Sequence, residues 1–163
     1  MKKFNTIRKL QLLSILSFII AFSACKNQNA PLSKTDLLTD KQWKISTFSI
    51  DPGFPIMDEN LNITGYTTDM FTILGMCIKD DTYKFNVNKV VSIDGGALKC
   101  DSSEPQTVNG TWNLNQGETI LTMNLDGGSL DQTIVELTAD LLKVNYTETD
   151  IGKTYTLTIT YLH

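Results

Sequence analysis

Acidic side chains recur in close pairs along this chain: Asp58-Glu59, Asp80-Asp81, Asp101 with Glu104, and Glu148 with Asp150. Two carboxyls facing each other across a cleft can divide the acid and base work of glycoside hydrolysis. A larger set of oxygens can hold calcium. The spacing here favours neither chemistry, because no pair lies in a calcium-loop pattern, and Asp80-Asp81 opens a strand, where carboxylates cap turns. The single histidine, His163, is the last residue, a poor seat for the base of a Ser-His-Asp triad. A cysteine nucleophile would need one of Cys77 and Cys100 unpaired. There is no phosphate-cradling loop and no glycine-rich dinucleotide fingerprint. No catalytic residue, metal ligand or cofactor is expected, and the chain reads as non-enzymatic.

The elements that must carry these residues are strands. Tyr83 and Phe85 alternate with Lys84 and Asn86, with Val87 next in phase. Val91 and Ile93 follow, then Trp112 and Leu114, then Leu121, Met123 and Leu125. Val135 and Leu137, Leu142, Val144 and Tyr146, and Tyr155, Leu157, Ile159 and Tyr161 complete the series. Turn signals separate them, notably Asp94-Gly95-Gly96 and Asp126-Gly127-Gly128. Alternation of period two on this scale specifies an all-β barrel or sandwich with one apolar and one Thr/Asn/Lys-rich face. About eight strands joined mainly by short hairpins close into an antiparallel up-and-down barrel. The wet outer face excludes an outer-membrane barrel, so the apolar face points inward.

Upstream, residues 36–43 suggest a helical turn capped by Ser33 or Thr35. It leads into a strand from Trp43 to Ile50. The apolar phase shifts by one across Ser46-Thr47, from Trp43 and Ile45 to Phe48 and Ile50, which is the mark of a bulge. Residues 51–68, with Pro52, Gly53, Pro55 and Gly65, read as a loop. Residues 69–74 fit either a helical turn or a short strand.

The first 24 residues combine Lys2, Lys3, Arg8 and Lys9 with an apolar run from Leu12 to Phe22 and a small-residue exit. This is the pattern of a secretory signal peptide. Its apolar run of about 11 residues falls short of the roughly 18 needed to span a bilayer. Phe22-Ser23-Ala24-Cys25 resembles the lipobox of bacterial lipoproteins, with Phe22 where leucine is usual. That resemblance implies cleavage before Cys25, acylation of Cys25 and a polar tether over residues 25–33, with the domain following over 34–163. Of the chain's 14 basic residues four lie in this leader, so 10 would remain against 18 acidic ones, a charge near −8. An acidic body without a basic patch argues against nucleic acid as a partner. In an exported, oxidising setting Cys77 and Cys100 form an even pair and are expected as a disulfide. A zinc site on two cysteines would lack further ligands nearby.

Two segments carry a wider resemblance. One is Leu37-Leu38-Thr39-Asp40-Lys41-Gln42-Trp43-Lys44-Ile45. The other opens with Cys77-Ile78-Lys79-Asp80-Asp81, continues through Asp94-Gly95-Gly96 to Cys100, and closes with Gly110-Thr111-Trp112-Asn113-Leu114. Together they resemble the lipocalin-like lipoproteins of Gram-negative bacteria, although the Gly-x-Trp motif of true lipocalins is replaced, with Asp40 three before Trp43. The resemblance implies a small lipid-anchored antiparallel barrel. The absence of acids between Cys25 and Asp36 implies, by the same likeness, the outer membrane and its periplasmic face. It also invites a small apolar ligand, for which Trp43, Phe54, Met57, Met70, Phe71, Tyr83, Phe85 and Trp112 are the candidate residues. The large inward residues would fill a barrel of eight strands nearly by themselves, which leaves residues 51–76 at an open end as an alternative lining. A filled barrel acting as a structural or protein-interaction module in the envelope is the second expectation.

Overall fold

The computed structural model describes residues 31–163. The leader, Cys25 and most of the tether lie outside them. The first element is a helix, α1 (Lys34–Asp40). Its start is dictated locally. The Ser33 hydroxyl accepts the backbone N–H of Asp36, and the Asp36 carboxylate accepts that of Ser33. This reciprocal capping satisfies two amides that a helix start otherwise leaves unpaired.

Nine strands follow: β1 (Gln42–Met57), β2 (Ile63–Asp69), β3 (Thr82–Phe85), β4 (Val90–Asp94), β5 (Thr107–Leu114), β6 (Ile120–Leu125), β7 (Gly128–Leu137), β8 (Leu141–Asp150) and β9 (Lys153–Leu162). A single helical turn, α2 (Met76–Lys79), precedes β3. Every pairing is antiparallel. Strands β3 to β9 follow one another as a meander, and β1 bonds both β3 and β9, which closes a barrel of eight strands.

Strand β1 makes closure possible by changing neighbours along its length. Gln42 and Trp43 pair with β3, Lys44 to Asp51 pair with β9, and Ser49 to Met57 pair with β2. The bulge expected at Ser46-Thr47 is present, since the register against β9 slips between Ile45 and Thr47. It keeps Trp43, Ile45, Phe48 and Ile50 all on the inner face.

Three expectations are corrected. Residues 51–68 are not a loop. β1 continues to Met57, and the chain returns as β2, outside the closed ring. Pro52 and Pro55 are tolerated because β1 has no β9 partner beyond Asp51 and edge positions need no ladder donor. Val135 is not inward. A register shift in β7 between Ile134 and Glu136 turns it out to 52% exposure and restores Leu137 to the inside. Val87 lies beyond the end of β3 and is 78% exposed. Residues 70–74 form turns rather than a strand.

The unit Leu32–His163 carries its own core and closes its own sheet. Trp43, Phe85, Val91, Trp112, Leu121, Met123, Leu142, Val144, Ile159 and Tyr161 form the main cluster, with Leu38 of α1 packed onto it. A second cluster gathers Ile50, Tyr155 and Leu157.

Candidate functional site

The two ends of the barrel differ. At one end α1 is a plug. Leu38 is fully buried, and the Trp43 indole N–H donates to the Leu38 carbonyl at 3.0 Å. The Lys84 ammonium donates to the carbonyl of Thr39 at 2.7 Å, tying β3 to the helix end. Phe85 meets Trp112 edge to face at 5.6 Å, and the Trp112 indole donates to the Asn86 carbonyl. Lys89, in the turn between β3 and β4, lies 3.9 Å from the Trp112 ring centre. His163 stacks on Trp43 at 4.0 Å, its Nδ1 bonded to the Gln42 carbonyl. The terminal histidine is thus a packing residue of the plugged end.

At the other end the inward side chains Ile93, Val108, Leu125, Leu130 and Tyr146 are only partly buried. Of two hollows, the smaller lies at this end and the larger on the outer flank of β1. The larger, about 380 Å³, is lined by Ser46, Thr47, Phe48, Ser49, Thr68, Asp69 and Phe71. It occupies the place where β1 has left β3 and begins to pair with β2. The backbone N–H groups of Met70 and Phe71 both donate to the Phe48 carbonyl, which draws the segment after β2 over the gap. The smaller, about 100 Å³, includes Asp81, Ile93, Leu98, Glu104 and Val108 in its lining, next to Cys100.

The acidic pairs prove to be turn chemistry. One Asp80 oxygen accepts the backbone N–H groups of Ala97 and Leu98 at 2.8 and 2.9 Å. Gly96, at φ +60, passes so near that a Cβ there would run into this carboxylate. Cys77 and Cys100 are disulfide-bonded, with their Cα atoms 5.2 Å apart, and so fasten the same loop to α2. Asp58 accepts the N–H groups of Asn60 and Asn62 in the turn between β1 and β2, and Asp101 accepts that of Ser103. These bonds favour the ionised form and hold both carboxyls below the usual range. Asp81 is the exception. Partial burial, with Asp80, Asp94 and Glu104 near it, pushes its carboxyl up. Among the described residues no group of three or more potential ligands is placed to hold a metal ion.

Within the barrel, Tyr161 is buried and meets Tyr83 edge to face at 5.3 Å. Burial pushes the Tyr83 phenol up to about 12 and raises Tyr161 as well, with Tyr83 beside it adding to the effect. Both therefore stay protonated at neutral pH. Gln132 of β7 lies beside Tyr161, and its carboxamide acts toward the phenol as a hydrogen-bonding group that favours ionisation, against the larger effect of burial. Gln132 is 1% exposed and pairs across the sheet with Leu121. Even so, among the described residues neither polar atom of its carboxamide reaches a partner at full hydrogen-bond distance and angle.

The eight candidate ligand residues divide accordingly. Trp43, Phe85 and Trp112 are core of the plugged end. Tyr83 packs against that core from the interior. Phe54 and Met70 pack on the second cluster, Phe54 facing Tyr155 at 5.9 Å. Phe71 lines the larger hollow, with the Lys79 ammonium 5.1 Å from its ring. Met57, 52% exposed near the tip of the β1–β2 hairpin, joins none of them. Gln132 was missed. Its signal was its phase with Leu130 and Ile134, hidden because the bulge at Val135 makes the apolar alternation seem to start one residue later.

No curated protein matches the chain. The sequence does match the description of the lipocalin-like domain over residues 39–144, from the end of α1 into β8. That span covers most of the closed ring and both ends of the barrel, an architecture suited in general to binding small ligands, and it places the chain in the lipocalin-like domain family.

Proposed function

We propose that this protein binds a small apolar or amphipathic molecule, without catalysis, as a lipid-anchored lipoprotein of the outer membrane facing the periplasm. The observation that carries the binding reading is the contrast between the two barrel ends. One is plugged by α1, whereas the other leaves apolar inward side chains partly exposed. An apolar surface that is concave and still reachable favours occupation by an apolar group. The lipid anchor rests on the lipobox resemblance at Cys25, and the periplasmic face on the lack of acids just after it.

The unit Leu32–His163, purified without harsh detergent, should show a co-purifying small molecule by native mass spectrometry that is lost on denaturation. A bare mass together with no uptake of a hydrophobic dye would sink the binding reading. The anchor is tested separately, since labelled palmitate should enter the full chain in a Gram-negative host and fail to enter Cys25→Ala.

A second reading has its own observation. Ile56, Met57, Leu61, Ile63 and Tyr66 leave an apolar surface on the β1–β2 hairpin, each at least 47% exposed. Surfaces of this kind mark protein contacts, and a filled barrel that presents the hairpin to an envelope protein is the alternative if no ligand is found.

A further inference from the structure

Every buried residue of the barrel is apolar or aromatic except one. Gln132 is the sole polar or charged residue in that class among the described residues, and neither its amide nitrogen nor its oxygen makes a hydrogen bond of full geometry there, although the Tyr161 phenol lies nearby. Leaving a buried donor and acceptor unpaired is costly, and such groups in folded proteins nearly always have a partner or a purpose. The position of Gln132 says where that partner would lie. Along β7 it stands between Leu130 and Ile134 on the inner face. Leu130 lies toward the partly exposed end, and Ile134 packs on the plugged core. On its own side of the barrel the carboxamide therefore stands between packed core and partly exposed side chains, whereas Ile50, Tyr155 and Leu157 stay buried on the β1–β9 side. Near the carboxamide is the phenol of Tyr161, able to donate and to accept, with Tyr83 edge to face on the Tyr161 ring.

We propose that Gln132 is the polar anchor of an internal ligand site, and that the ligand is an uncharged amphiphile whose head carries a hydrogen-bond donor and acceptor side by side. The inference rests on the binding reading above and names the chemistry of that ligand. A carboxamide presents one donor edge and one acceptor edge, so its complement is a primary amide or a protonated carboxylic acid. No charged residue is buried beside it to neutralise an ionised head, and a buried unpaired charge is far more costly than a buried neutral dipole. The apolar tail would run toward Leu125, Leu130 and Tyr146 at the reachable end.

The test uses octanamide, octanoate and octylammonium with the unit Leu32–His163 at neutral pH, read by calorimetric titration. Octanamide should bind about tenfold or more tighter than either charged probe, the amount expected for two neutral hydrogen bonds. Gln132→Met, of similar length and without polar atoms, should weaken octanamide about tenfold while leaving the weak charged probes unchanged and the melting temperature equal or higher. Tyr161→Phe, a second and milder variant, should weaken octanamide without improving the others. Octanamide binding that is unmoved by Gln132→Met overturns the anchor and leaves the binding reading standing. No binding of any probe overturns both.

Discussion

At the scale of single residues, Asp58, Asp80 and Asp101 each accept backbone amides in turns. Asp80 organises residues 96–98 by accepting two amides, and Gly96 is the residue that lets the backbone pass it. Asp81, its neighbour, gains no such donor and is held among other acids. Its carboxyl is raised in the folded protein, so the fold binds that proton more tightly than the unfolded chain does. The sign follows directly. Below 3.8, the ordinary value, Asp81 is protonated in both states and costs nothing. As pH rises from there through the raised value, the folded state loses stability, and the loss is complete above it. Asp81→Asn should therefore be more stable than the natural protein at pH 7, and the advantage should vanish toward pH 3. Urea midpoints at the two pH values measure this, and an equal gain at both would overturn the assignment.

At the scale of elements, the disulfide joins α2 to the loop between β4 and β5 across 23 residues. Closing a loop of that length stabilises by about 3 kcal/mol in the chain-entropy account. The double variant Cys77→Ser, Cys100→Ser should lose roughly that amount in a denaturant titration. It should keep its β-sheet spectrum, since β3 and β4, which lie between the two cysteines, are held to β1, to each other and to β5 by backbone pairing. The strands themselves were largely legible. Period-two alternation is a direct print of which side chains face a core, and the bulge in β1 could be read because two apolar phases meet inside one strand. The bulge in β7 could not, because Gln132 interrupts the apolar phase just where it would have announced itself. The β1–β2 hairpin was illegible for a different reason. It lies outside the ring with both faces largely wet, so nothing selects alternation, and its prolines and glycines suggest a loop. The candidate site was legible only in part. The aromatic residues on which it was expected to rest are the ones best packed, and packing, once it is complete, leaves nothing for a ligand to touch.

At the scale of the whole molecule, a ring of antiparallel strands has its plug at one end and its reachable apolar face at the other. The two apolar clusters follow that polarity. The larger lies under α1, and the smaller, around Ile50, Tyr155 and Leu157, supports the β1–β2 hairpin where it leaves the barrel. Closure depends on β1 and β9, the first and last strands, and the side chain of His163 rests on Trp43 while bonded to Gln42. The first and last strands are neighbours, and seen as a closed curve the ring of strands has no natural beginning. A circular permutant should follow from this. A flexible link long enough to cross the plugged mouth would join His163 to Leu32, whose near neighbour Lys34 reaches the Glu118 carbonyl on the far side, and new ends would open at Asp126-Gly127 in the exposed turn between β6 and β7. It should give the same sheet spectrum and a cooperative melt, because every strand keeps both neighbours. The order in which the strands are made is then a matter of inheritance, while the order in which they stand around the ring is what the protein needs.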